Sequence, residues 1–410
     1  MDNIAGTPVE GDNFFGRDAE VTHLVDTLQN DDVLLLGARR IGKTSLCRAV
    51  IASLRSQDWR AIEINVAACI DERGFLEKLD SALRPELDSL GAKIASTLGS
   101  AFSAVTGRIR SVKVPIPGAG TLGVDLGAEE IDDWTKVGSE LLALIGKIDQ
   151  RWLIYVDELP IMLFNIIRND PENGVKRVRR FLDWFRNDVR ALPGSNVVHW
   201  LISGSVGLDT LVQQHGMADT INSLSHQNLA AYTDEVAIAM LLKLSAKYEM
   251  QLDDEIAEVI VKAVQWAQPY YLQKAFHHLR QRRRENAEAD LADLIEESVN
   301  DMVQPGADND FHHWEQRLKQ QLDDTQAAHA LALLSKAATD PAGVRPEILL
   351  EVLALRLPND VSERHTEIFI NLRDILQRDA YWWPDESSGN RRYRFRLEPL
   401  RRWWVRRGTL

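Results

Sequence analysis

The run Gly37-Ala38-Arg39-Arg40-Ile41-Gly42-Lys43-Thr44 fits G-x-x-x-x-G-K-[ST], the spacing of a loop that wraps phosphate groups. Glycines let the backbone turn tightly enough for its N–H groups to point at phosphate oxygens. A helix beginning at Ser45 adds its positive N-terminal end. In this chemistry Lys43 contacts the β- and γ-phosphates of a nucleoside triphosphate, and the Thr44 hydroxyl ligates Mg²⁺. The loop needs a second acid for the metal, delivered from the end of a neighbouring strand. Trp152-Leu153-Ile154-Tyr155-Val156-Asp157-Glu158 supplies it. Asp157 is expected to hold Mg²⁺ through water, and Glu158 to orient and deprotonate an attacking water, the general-base role that turns binding into hydrolysis.

These groups meet only if the chain builds a mostly parallel sheet. The first third alternates accordingly. Residues 19–28 have helical spacing, 33–36 form a short apolar run, 45–54 are helical again and 60–66 read as a strand, which makes a β-α-β unit. Apolar runs at 152–156 and 197–202 sit between helical stretches, the pattern of a sheet covered on both faces. Residues 175–190 read as one helix.

The stretch from about 84 to 135 reads as an insertion. It holds a helical segment at 92–105 and two strand patterns, 111–116 and 121–126, joined by Pro117-Gly118-Ala119-Gly120. No Lys-Ser/Thr pair follows those glycines, so they suit a hairpin turn rather than a second phosphate loop. Beyond Ser205 strand signals cease and amphipathic helices dominate to about residue 300. Residues 304–310 look like a linker. Three helical patterns (325–338, 346–355, 362–378) and a strand pair (380–384, 393–397) follow, in winged-helix order. The expected architecture is an α/β P-loop NTPase core over residues 1–230, a helical lid over 231–303 and a C-terminal winged helix over 311–410.

Composition narrows the classes. The chain has 410 residues, 45% apolar and 27% charged, which excludes a largely disordered chain or a collagen-like repeat. Lys plus Arg total 48 against 61 Asp plus Glu, a net charge of −13, so no whole-molecule field draws it to DNA or an anionic membrane. No apolar run approaches the ~18 residues that span a bilayer. Met1 to Asn13 is acidic and polar, without the pattern of an export signal, so a cytoplasmic protein is expected. Cys47 and Cys69 lie far from metal-site spacing and suit buried small hydrophobes. The adjacent pairs His277-His278 and His312-His313 point apart on a helix, and no metal beyond Mg²⁺ is expected.

Several further motifs complete a pattern. Phe15-Gly16-Arg17 with Glu20 precedes the first helix, Arg39-Arg40 lies inside the phosphate loop, and Ser203-Gly204-Ser205 follows the 197–202 run. Pro269-Tyr270-Tyr271-Leu272-Gln273 opens a later helix, and Tyr393-Arg394-Phe395-Arg396 precedes Leu400-Arg401-Arg402-Trp403-Trp404. Together with the phosphate loop and the Asp157-Glu158 strand, these resemble the archaeal-type ATPase family. That family is a branch of the AAA+ and STAND nucleotide switches related to origin-recognition ATPases.

The resemblance implies ATP or ADP with Mg²⁺ held between a P-loop core and a helical lid. Phe15, Gly16 and Arg17 would lie near the adenine, Gly37 to Ser45 would cradle the phosphates, and Pro269 would open the lid motif. Ser205 falls at the family's γ-phosphate sensor, where a hydroxyl bonds phosphate or lytic water. Asn65, ending the 60–66 strand, fits either a restraint on Glu158 or an ordinary polar strand end. The chain departs from the family at Ala267, where a glycine is usual, and no second sensor stands beside Pro269. An arginine finger would come from elsewhere, with Arg177, Arg179, Arg180, Arg186 and Arg190 as candidates alongside the plainer reading of a solvated helix face. By resemblance the chain is an ATP-hydrolysing regulatory or genome-defence switch, possible as an oligomer, that acts on a protein partner.

The last twenty residues hold eight Arg and one acid. Three readings stay open for this tail: DNA binding of the initiator or transposon-helper type through Arg391, Arg392, Arg394 and Arg396, contact with a protein partner, or internal packing with acids of the lid.

Overall fold

The computed structural model describes residues 1–89, 92–109, 112, 133–192, 197–204, 207–387 and 389–408. The expected 111–126 hairpin and Ser205 lie outside the described residues. The chain divides into two compact units, one of residues 17–37 and 43–229, the other of residues 1–16, 38–42 and 230–410.

The first unit runs α1 (Asp18–Thr27), β1 (Val33–Leu36), α2 (Lys43–Arg55), β2 (Arg60–Asn65), α3 (Glu72–Asp88), α4 (Ala92–Ile109), α5 (Trp134–Ile145), β3 (Trp152–Asp157), α6 (Leu159–Asn169), α7 (Gly174–Asp183), β4 (Val198–Ser203), α8 (Leu208–Gln214) and β5 (Ser225–Asn228). Its strands form one parallel sheet in the order β2-β3-β4-β1-β5. Every residue of β3 and β4 is buried, which explains why both read as continuous apolar runs rather than alternating ones. The order places β4 between the strand that leads into the phosphate loop and the strand that ends in Asp157.

β5 corrects the expectation that strands cease after Ser205. Its sequence Ser-His-Gln-Asn is polar, so hydrophobic patterning cannot reveal it. Main-chain bonds hold it beside β1, with Ser225 N donating to Asp32 O at 2.8 Å and Leu229 N to Leu36 O at 2.8 Å. Asp32 itself is buried. It accepts from Trp200 N at 2.9 Å and pairs with Arg190 at 3.2 Å. The helix expected over 175–190 changes character at Trp184, where α7 gives way to a π-helical turn through Val189.

Cys47 and Cys69 are both buried and unbridged, and burial raises both thiols above their usual range. They pack as small apolar side chains.

The second unit contains α9 (Asp234–Tyr248), α10 (Asp254–Val264), α11 (Pro269–Glu285), α12 (Leu291–Asp301), α13 (Asn309–Gln321), α14 (Asp324–Ala338), α15 (Pro346–Arg356), α16 (Ser362–Arg378), an antiparallel pair β6 (Trp382–Asp385) and β7 (Arg392–Phe395), and α17 (Glu398–Gly408). One hydrophobic core runs through these elements from Ala237 to Trp404. α13 begins inside the stretch read as a linker, and its Phe311, Trp314 and Leu318 face the core at helical spacing. α17 was not expected either. It carries Trp403 and Trp404 into the core, where Tyr381 donates to Trp314 O at 2.6 Å and Trp314 to Tyr271 Oη at 3.0 Å.

Candidate nucleotide site

In the first unit β1 ends at Leu36 and α2 starts at Lys43, so Gly37 and the first N–H groups of α2 share one end of the sheet. Gly37 and Gly42 have φ of 154° and 102°, and the left-handed value at Gly42 is one an L side chain rarely adopts. Lys43 is 7% exposed, and its ammonium donates to Gly37 O at 2.8 Å. The lysine thus already folds back over its own loop, where phosphate oxygens can replace the carbonyl as acceptors.

Asp157 ends β3 and is buried. Ser203, at the end of the intervening β4, donates to Asp157 Oδ1 at 2.5 Å. The other carboxylate oxygen accepts from Thr44 Oγ1 at 3.4 Å and from Asn65 Nδ2 at 3.3 Å. Asn65 therefore bonds the Asp157 carboxylate. Tyr155 Oη lies 3.2 Å from Ser203 Oγ, and burial pushes its phenol well above the usual value, so it stays protonated and can donate to the serine.

This donor set fits Mg²⁺. The ion commonly takes one or two protein oxygens and fills its octahedron with water and phosphate, so a hydroxyl beside one carboxylate suffices. Among the described residues no group of three or more His, Cys, Asp or Glu offers an all-protein cage.

Glu158 follows Asp157 with φ 61° and ψ 36°, a left-handed conformation that is uncommon for glutamate. The chain turns there from β3 into α6, with Pro160 in the first turn of the helix. Gly204 backs this turn. A Cβ on it would lie 2.4 Å from Pro160 Cγ, so the β4 end approaches the turn at a distance only glycine allows.

The other expected site residues fall as follows. Arg17 pairs with Glu20 at 2.6 Å in the first unit. In the second unit Tyr232 donates to Phe15 O at 2.7 Å, the Lys243 ammonium lies 5.2 Å from the Phe15 ring centroid, and a Cβ on Gly16 would meet Val236 at 2.5 Å. Pro269 occupies the first turn of α11.

Arg40, also grouped with the second unit, has φ 67° and stacks 4.4 Å from the Tyr270 centroid. It donates to Asp310 at 2.9 Å and to Gly6 O at 3.1 Å. Tyr270 and Lys274 donate to the same Asp310 carboxylate. Burial alone would raise Asp310, but the Tyr270 hydrogen bond and the Lys274 and Arg40 charges hold its carboxyl below the usual range.

The five arginines considered as fingers are all engaged within the first unit. Arg177 pairs with Glu72 at 2.5 Å and Asp170 at 3.3 Å, Arg179 with Asp183 and Asp219, Arg180 with Asp133, Arg186 with Asp219, and Arg190 with Asp32.

Sequence reasoning missed two residues here. Ser203 was visible only as part of a Ser-Gly-Ser run, although a lone polar residue closing a buried strand is a usable signal. Asp310 carried no local signal, because its partner Arg40 is 270 residues away.

A family model described as Novel STAND NTPase 1 matches residues 7–269, more than half of the chain. Among solved structures, the chain is similar to a Walker-type ATPase of Pyrococcus abyssi, with a TM-score of 0.62 and 16% identity, covering 96% of each chain. It is also similar to the ORC2 protein of Aeropyrum pernix in its ADPNP–ADP complexes, with a TM-score of 0.55 and 15% identity over 97% of each chain. At such identities the likeness concerns the fold, which is that of a P-loop ATPase. No curated protein matches the chain.

Proposed function

We propose, from the premise that this chain belongs to the Novel STAND NTPase 1 family, that it binds and hydrolyses Mg²⁺-ATP and uses the cycle as a switch acting on a protein partner. The observation that carries the reading is the convergence of Thr44 and Asp157, two oxygen donors 3.4 Å apart beside the buried Lys43 ammonium. Bound Mg²⁺ would supply positive charge between the β- and γ-phosphates. Lys43 neutralises the same phosphates from the loop side. Glu158 Oε would take a proton from water as that water attacks the γ-phosphorus of ATP and the bridging oxygen departs with ADP, and the restricted turn at this residue limits where its carboxylate can reach.

A regulatory or genome-defence role through a protein partner is the finer reading, and DNA binding through the C-terminal segment is its rival. The pairing of the tail favours the former. Arg391 meets Glu386 at 2.7 Å, Arg392 meets Asp340 at 3.3 Å, and Arg401 and Arg402 meet Glu398 at 2.7 and 2.9 Å. Arginines already neutralised by carboxylates offer little to a phosphate backbone. Among the described residues no helix is long and apolar enough to cross a membrane.

Calorimetry with ATP on the wild type and on Lys43→Ala tests the assignment. Binding is expected to weaken at least a hundredfold, and equal affinity in the two proteins would refute it.

A further inference from the structure

Two arginines of the tail stand apart from that internal pairing. Among the described residues Arg394 meets a carboxylate at 3.9 Å, on Asp385, and its Nε is buried without a hydrogen-bond partner. The Arg396 Nε is likewise buried and unpartnered, and burial with no compensating carboxylate lowers its affinity for a proton. A half-buried guanidinium whose carboxylate is distant, as for Arg394, or lacking, as for Arg396 among the described residues, is costly, and an anion offsets that cost best when it accepts two parallel N–H bonds.

Both arginines open onto one concavity of about 580 Å³ inside the second unit. Alternation along β7 explains their placement. Tyr393 and Phe395 turn into the core, leaving Arg394 on the other face, with Arg396 two residues on. Trp383 lies directly across from Arg394 in the antiparallel register and is 40% exposed. The Arg396 guanidinium carbon sits 5.4 Å from the Trp266 centroid, so a second indole borders the same space. Asp234 and Gln265 add side chains that can bond polar ring edges.

We propose that this concavity is a second ligand site, separate from the phosphate loop, for a free mononucleotide. Its phosphate lies between Arg394 and Arg396, and its base stacks on the exposed indole of Trp383. The volume falls within the range of small-molecule sites, and aromatic faces next to guanidinium groups suit a flat ring that carries an anion. The neighbouring charges disfavour a nucleic-acid strand. A strand needs a positive track that continues along its backbone, whereas the neighbouring Arg391 and Arg392 are taken up by Glu386 and Asp340.

The test is calorimetric titration of UMP into the full chain. Saturable one-to-one binding is expected, unchanged in Lys43→Ala. It should weaken at least tenfold in Arg394→Gln/Arg396→Gln and about tenfold in Trp383→Ala, whose exposed ring can be removed without opening the core. Arg396→Lys, which keeps the charge but not the fork, should be intermediate. Inorganic phosphate should bind more weakly than UMP. Absence of UMP binding at millimolar concentration overturns the proposal, as does loss of binding in Lys43→Ala, which would place the ligand in the phosphate loop. A ten-nucleotide single strand binding more tightly than UMP overturns it in favour of nucleic acid. Should the double arginine variant fail to fold, the Trp383→Ala result decides alone.

Discussion

Ser203 donates a 2.5 Å hydrogen bond to Asp157 Oδ1, while Thr44 reaches Oδ2 at 3.4 Å. One carboxylate oxygen is therefore tied to β4, and the other faces the loop. The strand order makes this possible, because β4 lies directly between the strand that leads into the phosphate loop and the strand that ends in the acid. Ser203→Ala should free Asp157 to rotate and remove one hydrogen-bond partner of the buried Tyr155 phenol. A hydrogen bond to a charged group contributes about 1.5–3 kcal/mol. The Mg²⁺ concentration that half-saturates ATP binding should accordingly rise roughly tenfold or more by that measure. A magnesium titration at fixed nucleotide checks this, and an unchanged midpoint would remove Ser203 from the site.

Glu158 separates chemistry from backbone comfort. Glu158→Gln keeps the side-chain shape and should retain ATP affinity while losing most turnover. Glu158→Gly relieves a left-handed glutamate and should melt no lower than the glutamine variant while being as inactive. Steady-state turnover and thermal melts on the pair give the answer, and wild-type turnover in Glu158→Gln would exclude the general-base role.

Arg177 tests whether its helix supplies catalysis or only structure. It is buried against Glu72 and Asp170, and removing it leaves two buried carboxylates uncompensated. Arg177→Met should cost about 3–5 kcal/mol of stability, with turnover per folded molecule unchanged below the melting transition. Normal stability with abolished turnover would restore it as a finger.

Asp310 carries a pH signature. Burial works against its charge, but Tyr270, Lys274 and Arg40 together hold the folded carboxyl below its unfolded value of about 3.9. Its contribution to stability is thus complete above that unfolded value and fades as pH falls through the folded one. Asp310→Asn should lower stability by about 2 kcal/mol near neutral pH, and the gap from wild type should narrow below about pH 4. Denaturant melts at a series of pH values follow it, and a gap independent of pH would contradict the ion-pair account.

What the sequence disclosed and what it withheld divide along a physical line. Strands buried on both faces write continuous apolar runs, and β1, β3 and β4 could be read with errors of a residue or so. The phosphate loop and the Asp157-Glu158 pair are contiguous motifs, legible because their chemistry needs fixed spacing. β5 was hidden because main-chain bonds rather than apolar side chains hold it. α13 was hidden because Pro305 and Gly306 precede it and the polar run Asp308-Asn309-Asp310 spans its start, although Phe311, Trp314 and Leu318 had the right period. The ties that position the site, Ser203 to Asp157 and Asn65 to Asp157, join residues 46 and 92 positions apart, which no local pattern records.

β5 also decides how the sheet ends. The strand beyond β1 is four residues long and half-exposed at alternate positions, and it presents serine, histidine, glutamine and asparagine where a longer apolar strand would invite another chain to pair. Short polar edges are poor templates for strand addition. Crowding many copies together therefore does not put this margin of the sheet at risk of fibre-like growth.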